Sequence, residues 1–203
     1  MTSASALTVR KQLIAMARRR VRPGSGSPIE FLRRRDWREP KLDLRGLHTP
    51  YVIVGGVATA LYMPQRVTVD TDILVAASDA PSLHAELRER GLTYLRPLSF
   101  GGSSWQAANG EILDVLESDA PWAREAVSHP NRSPSELPVI TLPYLILLKL
   151  ASSRAQDVAD LSRMLGQADA ATRDEVRAAV RAYRPEDSED LESLIALGDL
   201  ELS

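Results

Sequence analysis

The sequence contains no cysteine, three histidines and, among its 25 basic residues, only three lysines. Without cysteine the chain cannot form disulfides, thiolate metal sites or a cysteine nucleophile. Any bound metal would therefore be a hard ion held by oxygen, or would use one of the histidines. His48, His84 and His129 lie in separate segments without metal-ligand spacing. We expect surface or capping roles for all three.

Aromatic residues make up only 5% of the chain, which argues against a dedicated platform for stacking single-stranded nucleic acid. No apolar run approaches the roughly 20 residues that span a bilayer, and the N-terminus lacks the apolar core of a signal peptide. With 203 residues, 44% hydrophobic and 26% charged, we expect a cytoplasmic protein with one well-cored domain, or with one domain plus a small helical appendage.

Positive charge is concentrated at the N-terminus. Residues 1–50 carry a net charge of +8, whereas residues 51–203 carry −10. Such clustering suits binding to a phosphate backbone. A solvated helical face, or a basic face that docks on the acidic remainder of the chain, explains it equally well. The predicted nucleic-acid-binding residues are Arg18, Arg19, Arg20, Arg33, Arg34 and Arg35.

The pattern of apolar residues and chain breakers predicts an α+β fold. We expect a basic helical extension over 1–45, an α/β core over 46–140 and a helical C-terminal subdomain over 141–203. Within the core, Asn109-Gly110 predicts a hairpin with a two-residue turn. The predicted helices cover 5–20, 29–35, 57–62, 80–90, 120–127, 144–152, 171–182 and 187–197, and the predicted strands cover 51–54, 67–76, 92–98, 105–108, 111–116 and 139–140.

Three aspartates interrupt predicted strands. Asp70 and Asp72 are two residues apart, so in a strand their carboxylates project to one side, about 7 Å apart. Such a pair is tolerable if it is exposed, if one carboxylate is protonated, or if a divalent cation lies between them. Asp114 lies in the second strand of the hairpin and is expected to be buried or poised, unless that strand is a solvent-facing edge. Together the three could hold two Mg²⁺ ions roughly 4 Å apart.

Two further features are compatible with phosphate chemistry. The pair Gly55-Gly56, between a predicted strand and a helix, would let backbone N–H groups approach a phosphate, although tight turns use such pairs too. Lys149 is the only charge in an apolar helical segment, so it either reaches solvent or meets an anion. Asp157 and Asp160 share one helical face, which a surface ion pair with a helix cap would also explain.

Taken in order, these motifs resemble the DNA polymerase β-like nucleotidyltransferase superfamily. The resemblance lies in Gly55-Gly56, in the segment from Arg66 through Thr68 and Asp70 to Asp72, and in Leu113-Asp114-Val115 after a hairpin. The segment from Lys149 through Arg154 and Asp157 to Asp160 resembles AbiEii-type members, many of which are toxins of toxin–antitoxin systems. The resemblance covers residues 50–165.

The resemblance implies a nucleotidyltransferase-type mixed β-sheet flanked by helices, and roles for individual residues. Asp70 and Asp72 would bind both metals, Mg²⁺ or Mn²⁺, and Asp114 would bind the catalytic metal and help deprotonate the acceptor. Lys149 would contact the triphosphate, with Asp157 or Asp160 as the acidic residue of the last motif. Many members have Gly-Ser in place of the glycine pair. The implied nucleotide-binding residues are Gly55, Gly56, Thr59 in place of the missing serine, Arg66, Thr68 and Lys149.

The implied activity moves a nucleoside monophosphate from an NTP to an acceptor hydroxyl. The basic N-terminus favours an RNA acceptor, in particular a tRNA 3′ end, and a toxin with a cognate antitoxin partner. Two alternatives stay open. One keeps the chemistry but modifies a protein partner (AMPylation) or a small molecule, and the other is a nucleotidyltransferase fold that binds a partner without catalysis.

Overall fold

The structure is a computed structural model that describes residues 3–24, 37, 39–64, 70–152 and 154–202, with side chains from residue 8 onward. The described residues form two compact units. A sheet unit draws on Trp37–Leu61 and Gln65–Thr141, and a helical unit draws on Met1–Asp36, Tyr62–Pro64 and Leu142–Ser203. The predicted helix over 29–35 lies outside the described residues. The division into 1–45, 46–140 and 141–203 stays a prediction.

The described part of the sheet unit contains a seven-stranded mixed sheet with the order β3-β4-β5-β2-β1-β7-β6. Strand β2 runs parallel to β5, and β1 runs parallel to β7, while the other neighbours are antiparallel. This mixed sheet with helices confirms the predicted α+β class. The strands are β1 (Val52–Ile53), β2 (Thr71–Ala76), β3 (Thr93–Pro97), β4 (Ser103–Gln106), β5 (Ile112–Ser118), β6 (Asn131–Arg132) and β7 (Pro138–Val139).

Most helices follow the sequence prediction, with ends shifted by up to five residues, but the helix Ala155–Gln167 has no counterpart among the predicted ranges. In the sheet unit they are α2 (Gly55–Thr59), α3 (Ala80–Glu89) and α4 (Ala123–Ser128). In the helical unit they are α1 (Ser3–Arg20), α5 (Leu142–Ser152), α6 (Ala155–Gln167), α7 (Ala170–Tyr183) and α8 (Ser188–Leu202). None of the helices in the described ranges is long and apolar enough to cross a membrane.

One face of the sheet forms a core with α3. On this face Ile73 of β2, Val115 of β5 and Trp105 of β4 are fully buried. Helix α3 packs on this face, where the ring of His84 lies 5.1 Å from the Trp105 ring. Since side chains alternate along a strand, the next residues of the same strands point to the opposite face. That opposite face carries the aspartates of the predicted site.

The hairpin between β4 and β5 has a three-residue turn, so the predicted two-residue turn is wrong. The N–H of Ala107 donates to the carbonyl of Glu111, and the N–H of Gly110 donates back to Ala107. Gly110 has φ +86°, as expected for a glycine that ends a type I turn with a bulge. Either turn places the glycine at positive φ, but the longer turn shifts the pairing of the two strands by one residue.

A buried arginine organises the helical unit. Arg10 of α1 is 1% exposed; its Nε donates to Asp190 Oδ2 at 2.9 Å, and it also pairs with Asp187. The guanidinium donates to the carbonyl of Leu150 as well. These bonds tie α1 to α5 and α8. Ile14 is buried on the same helix, as its apolar spacing predicts.

Candidate active site

Asp72 and Asp114 lie side by side on neighbouring strands. They are register partners on the parallel strands β2 and β5, so their side chains leave the same face of the sheet and their Cα atoms are about 4.8 Å apart. Both residues are half-buried. Because β5 lies between β4 and β2, the alternative of a solvent-facing edge strand for Asp114 is wrong. The structure therefore brings two of the three predicted metal-binding aspartates together.

Gly55 packs directly against the carboxylate of Asp72. A Cβ atom on Gly55 would lie 2.0 Å from Asp72 Oδ2, and the glycine has φ +62°. A side chain is therefore unfavourable here both sterically and conformationally. The N–H of Val54 also donates to the backbone carbonyl of Asp72 at 2.9 Å. The first glycine of the pair thus brings backbone, rather than a side chain, next to the carboxylate, and the buried Gly56 follows it in α2.

Ser104 holds the carboxylate of Asp114. Its hydroxyl donates to Asp114 Oδ1 at 2.6 Å, and the serine is fully buried on β4 as the register partner of Asp114. A hydrogen bond to a charged acceptor fixes the orientation of the carboxylate strongly. Sequence reasoning missed Ser104, because a two-residue turn would have placed Trp105 opposite Asp114. A predicted three-residue turn would have paired Ser104 with Asp114.

Asp70 stands apart from this pair. Strand β2 begins at Thr71, so Asp70 lies in a bend before the strand and is exposed. Within the described ranges, no three His, Cys, Asp or Glu side chains gather closely enough to hold a metal ion. Mg²⁺, however, is commonly held by one or two carboxylates together with substrate phosphates. The Asp72–Asp114 pair fits that donor set, and the role of Asp70 stays a prediction.

Thr59, a further predicted nucleotide contact of the sheet unit, is less accessible than Gly55. Thr59 is fully buried, and its hydroxyl donates to the carbonyl of Gly56 at 2.6 Å. A contact between Thr59 and a phosphate would require this bond to break and the side chain to become exposed. Arg66 and Thr68 lie outside the described residues. The contacts of all three stay predictions.

Lys149, Asp157 and Asp160 form a buried ion cluster in the helical unit. The Nζ of Lys149 donates to Asp157 Oδ1 at 2.9 Å and to Asp160 Oδ2 at 2.7 Å, and Ser152 donates to Asp157. All three ionic residues are less than 9% exposed. The expectation that Lys149 meets an anion is confirmed, and the alternative of a surface ion pair is wrong. The predicted triphosphate contact of Lys149 and the motif role of the aspartates stay predictions.

Of the six predicted nucleic-acid-binding arginines, three are described. Arg18, Arg19 and Arg20 form the last turn of α1 and are exposed. Cations at a helix C-terminus interact favourably with the helix dipole, so a solvated helix end accounts for them as well as phosphate binding does. Both interpretations stay open. The remaining three, Arg33, Arg34 and Arg35, lie outside the described residues.

The histidines are placed partly as expected. His48 and His129 are exposed, which confirms their predicted surface positions. His84 is instead half-buried under the sheet, with Nε2 2.9 Å from Glu117 Oε1 and 3.0 Å from Ser103 Oγ. The expected surface or capping role stays a prediction for His84, whose side chain is 22% exposed and lies on the side of α3 that faces the sheet.

Known proteins resemble this chain only weakly. No protein-family model matches the sequence, and neither does any curated protein. The chain is similar to a crystal structure of ANT(2″)-Ia in complex with adenylyl-2″-tobramycin, at 19% identity and TM-score 0.41 over 72% of this chain and 87% of that one. It is also similar to a solution structure of the antibiotic-resistance factor ANT(2″)-Ia, at 17% identity and TM-score 0.41 over 96% and 91%.

Both solved structures are of a nucleotidyltransferase. Their identities and TM-scores are too low to transfer an activity or a substrate to this chain. Membership of the nucleotidyltransferase superfamily, and of its AbiEii-type subgroup, therefore stays a prediction from the motifs.

Proposed function

We propose that the protein is a metal-dependent nucleotidyltransferase that moves a nucleoside monophosphate from an NTP to a hydroxyl of an RNA acceptor, a tRNA 3′ end, and that it acts as a toxin of a toxin–antitoxin system. The observation that carries the proposal is the in-register pair Asp72–Asp114 next to the backbone of Gly55. It combines two carboxylates with a backbone surface that has no side chain. The order of the sequence motifs supports the same reaction class.

The electrostatics of the pair favour a divalent cation. Like charges directly opposite each other on adjacent strands are destabilising, and a cation bound by both carboxylates removes that cost. Asp72 and Asp114 offer hard oxygen donors, which suit Mg²⁺ or Mn²⁺. When bound, such an ion would stabilise the charge on the reacting phosphates.

The chain's own residues then have distinct tasks. Asp114, oriented by Ser104, accepts the proton of the acceptor hydroxyl. The hydroxyl oxygen forms a bond to the α-phosphorus while the bond to the β-phosphate oxygen breaks, and pyrophosphate leaves. Gly55 places backbone, rather than a side chain, directly against the carboxylate of Asp72, because a Cβ atom there would overlap Asp72 Oδ2. Each group named here belongs to the sheet unit.

An RNA acceptor is supported by charge. The first fifty residues carry a net charge of +8, and the described arginines at the end of α1 are exposed. Neutralisation of phosphates by arginine provides most of the sequence-independent affinity for nucleic acids. A cytoplasmic site of action and a cognate antitoxin partner belong to the same proposal.

A transfer assay tests the proposal. The protein is incubated with tRNA, Mg²⁺ and each labelled NTP, and parallel reactions offer tobramycin and a co-expressed protein partner as acceptors. We expect label in tRNA with the wild-type protein and none with Asp72→Asn or Asp114→Asn. The matched control is Asp119→Asn, which removes an exposed carboxylate of the same unit. Label that appears only in tobramycin or protein would contradict the RNA acceptor.

Calorimetry with NTP and Mg²⁺ separates an enzyme from a non-catalytic binding protein. We expect heat of binding with the wild-type protein and its loss with Asp72→Asn. Absence of binding to every NTP would contradict the proposed activity and favour the alternative of a fold that binds a partner.

A further inference from the structure

Arg96 of the edge strand β3 lies in line with the proposed catalytic pair. The sheet pairs Arg96 with Ser104, Ser104 with Asp114, and Asp114 with Asp72. Register partners on neighbouring strands leave the same face of the sheet. The four residues therefore form one row across β3, β4, β5 and β2 on the face that carries both carboxylates, and Gly55 closes the row beyond Asp72.

A β-bulge directs Arg96 to this face. Tyr94 pairs with Trp105 and Arg96 pairs with Ser104, so two steps along β3 match one step along β4. Without the extra residue, Arg96 would pair with Ser103 and point to the core face, on the same side as Tyr94. Bulges next to active sites commonly redirect a side chain in this way. The position of Arg96 is thus a consequence of a specific local irregularity.

Arg96 is exposed and available for a ligand. Among the residues that the structure describes, it makes no hydrogen bond and no ion pair. Its Cα lies two strand spacings, about 10 Å, from that of Asp114 and three from that of Asp72. Arg96 therefore lies at the end of the row that is nearer to Asp114, whereas Gly55 lies at the other end. Asp114 is the residue to which we assign the proton of the acceptor.

We propose that Arg96 binds a phosphate of the acceptor next to the attacking hydroxyl, and that the acceptor is consequently an anionic phosphodiester chain. The inference rests on the proposed function and adds a residue that selects the acceptor. Arginine matches phosphate with two parallel hydrogen bonds, whereas a polycationic acceptor is repelled by it. A simpler role would be protection of the sheet edge against pairing with another strand.

Kinetics distinguish these roles. Arg96→Ala is expected to raise the KM for the RNA acceptor about tenfold and to leave the KM for NTP unchanged, since the charged hydrogen bonds to the acceptor phosphate are lost. The slope of log kcat/KM against log salt is expected to fall by about one. Arg88→Ala is the matched control: it removes the same charge on α3, where the Arg88 guanidinium lies 5.3 Å from the ring centroid of Trp105 on the core face. Arg96→Lys should fall between wild type and Arg96→Ala.

Binding of a short, fluorescently labelled RNA with a free 3′ hydroxyl, measured without NTP, provides an independent readout. We expect weaker binding for Arg96→Ala than for Arg88→Ala and wild type. Equal binding by the two variants, or a rise in the KM for NTP alone, would overturn the inference. If the wild-type protein transfers no nucleotide, the proposed function fails while the binding comparison still decides whether Arg96 contacts a phosphodiester chain. Thermal melts of both variants establish that they are folded.

Discussion

The two predicted groups of acidic residues are built in opposite ways. In the helical unit, Asp157 and Asp160 surround the amine of Lys149, and all three are buried. In the sheet unit, Asp72 and Asp114 face the same side from adjacent strands and are half-buried, with a serine hydroxyl and a glycine backbone against them. The first group carries its own cation. To the second, the proposed function assigns a divalent cation.

Lys149→Met should give the largest effect, on stability. Removing the amine leaves two carboxylates buried near each other, and breaking a buried ion cluster by removing one partner costs about 3–5 kcal/mol. Urea denaturation measures the change. A triple variant that also carries Asp157→Asn and Asp160→Asn should recover much of the loss. If Lys149→Met unfolds like wild type, the cluster is not the closed structural element described here.

Gly55→Ala should give the next largest loss of stability. The new Cβ would overlap the Asp72 carboxylate, and the backbone has φ +62°. Gly110→Ala is the matched control, because Gly110 also has positive φ, at +86°, but no atom lies within 4 Å of its added Cβ. The conformational cost alone is about 1–2 kcal/mol, and we expect Gly55→Ala to exceed it clearly. Equal losses in the two variants would show that the carboxylate does not restrict Gly55.

Ser104→Ala should affect catalysis more than the fold. The hydroxyl holds one oxygen of Asp114, and a hydrogen bond to a charged group contributes about 1.5–3 kcal/mol. We expect kcat to fall roughly tenfold or more while the KM for NTP changes little. Ser103→Ala, one residue earlier and on the opposite face, is the control. An unchanged kcat in Ser104→Ala would contradict the proposed role of Ser104 in orienting Asp114.

The smallest effect on stability is expected for a change at Glu86. Its carboxylate is held by hydrogen bonds rather than by a cation. Burial raises its pKa, but hydrogen bonds from the Thr49 hydroxyl and from the backbone N–H groups of His48 and Thr49 outweigh this and lower the pKa below 4.5. Since the folded pKa is the lower one, the stabilisation is present above the unfolded value and is lost as pH falls through the folded value.

Denaturation of wild type and Glu86→Gln over a series of pH values tests this. We expect the stability difference between them to shrink as pH falls below 4.5, the ordinary value. A difference that stays constant across that range would contradict the role of these hydrogen bonds.

Most helices, most strands and the acidic residues of the sheet unit followed from periodicity and turn residues, because those signals are local. The partner of Asp114 did not follow, because Asn109-Gly110 is compatible with both a two- and a three-residue turn, and the difference decides whether Trp105 or Ser104 faces the carboxylate. The orientation of Arg96 depends in the same way on a bulge that has no clear signal in the sequence.

Contacts between segments that are distant in the sequence could also not be predicted from local sequence patterns. Arg10 belongs to a helix with many exposed basic residues, and the residues that bury its charge lie 177 and 180 positions away. The charge pattern counts Arg10 among the basic residues of the first fifty positions but does not reveal that it is buried. The pairing of β2 with β5, which aligns Asp72 with Asp114, is likewise a contact between segments that are distant in the sequence.

The comparison between the two acidic groups is tested most directly by the effect of Mg²⁺ on thermal unfolding, measured with and without a non-hydrolysable NTP analogue. A ligand that binds the folded state raises the melting temperature, so wild type and a Lys149→Met/Asp157→Asn/Asp160→Asn variant should both be stabilised, whereas Asp72→Asn and Asp114→Asn should not respond. A response that survives Asp72→Asn and Asp114→Asn, or one that is absent from wild type, would contradict the assignment of the cation site to this pair.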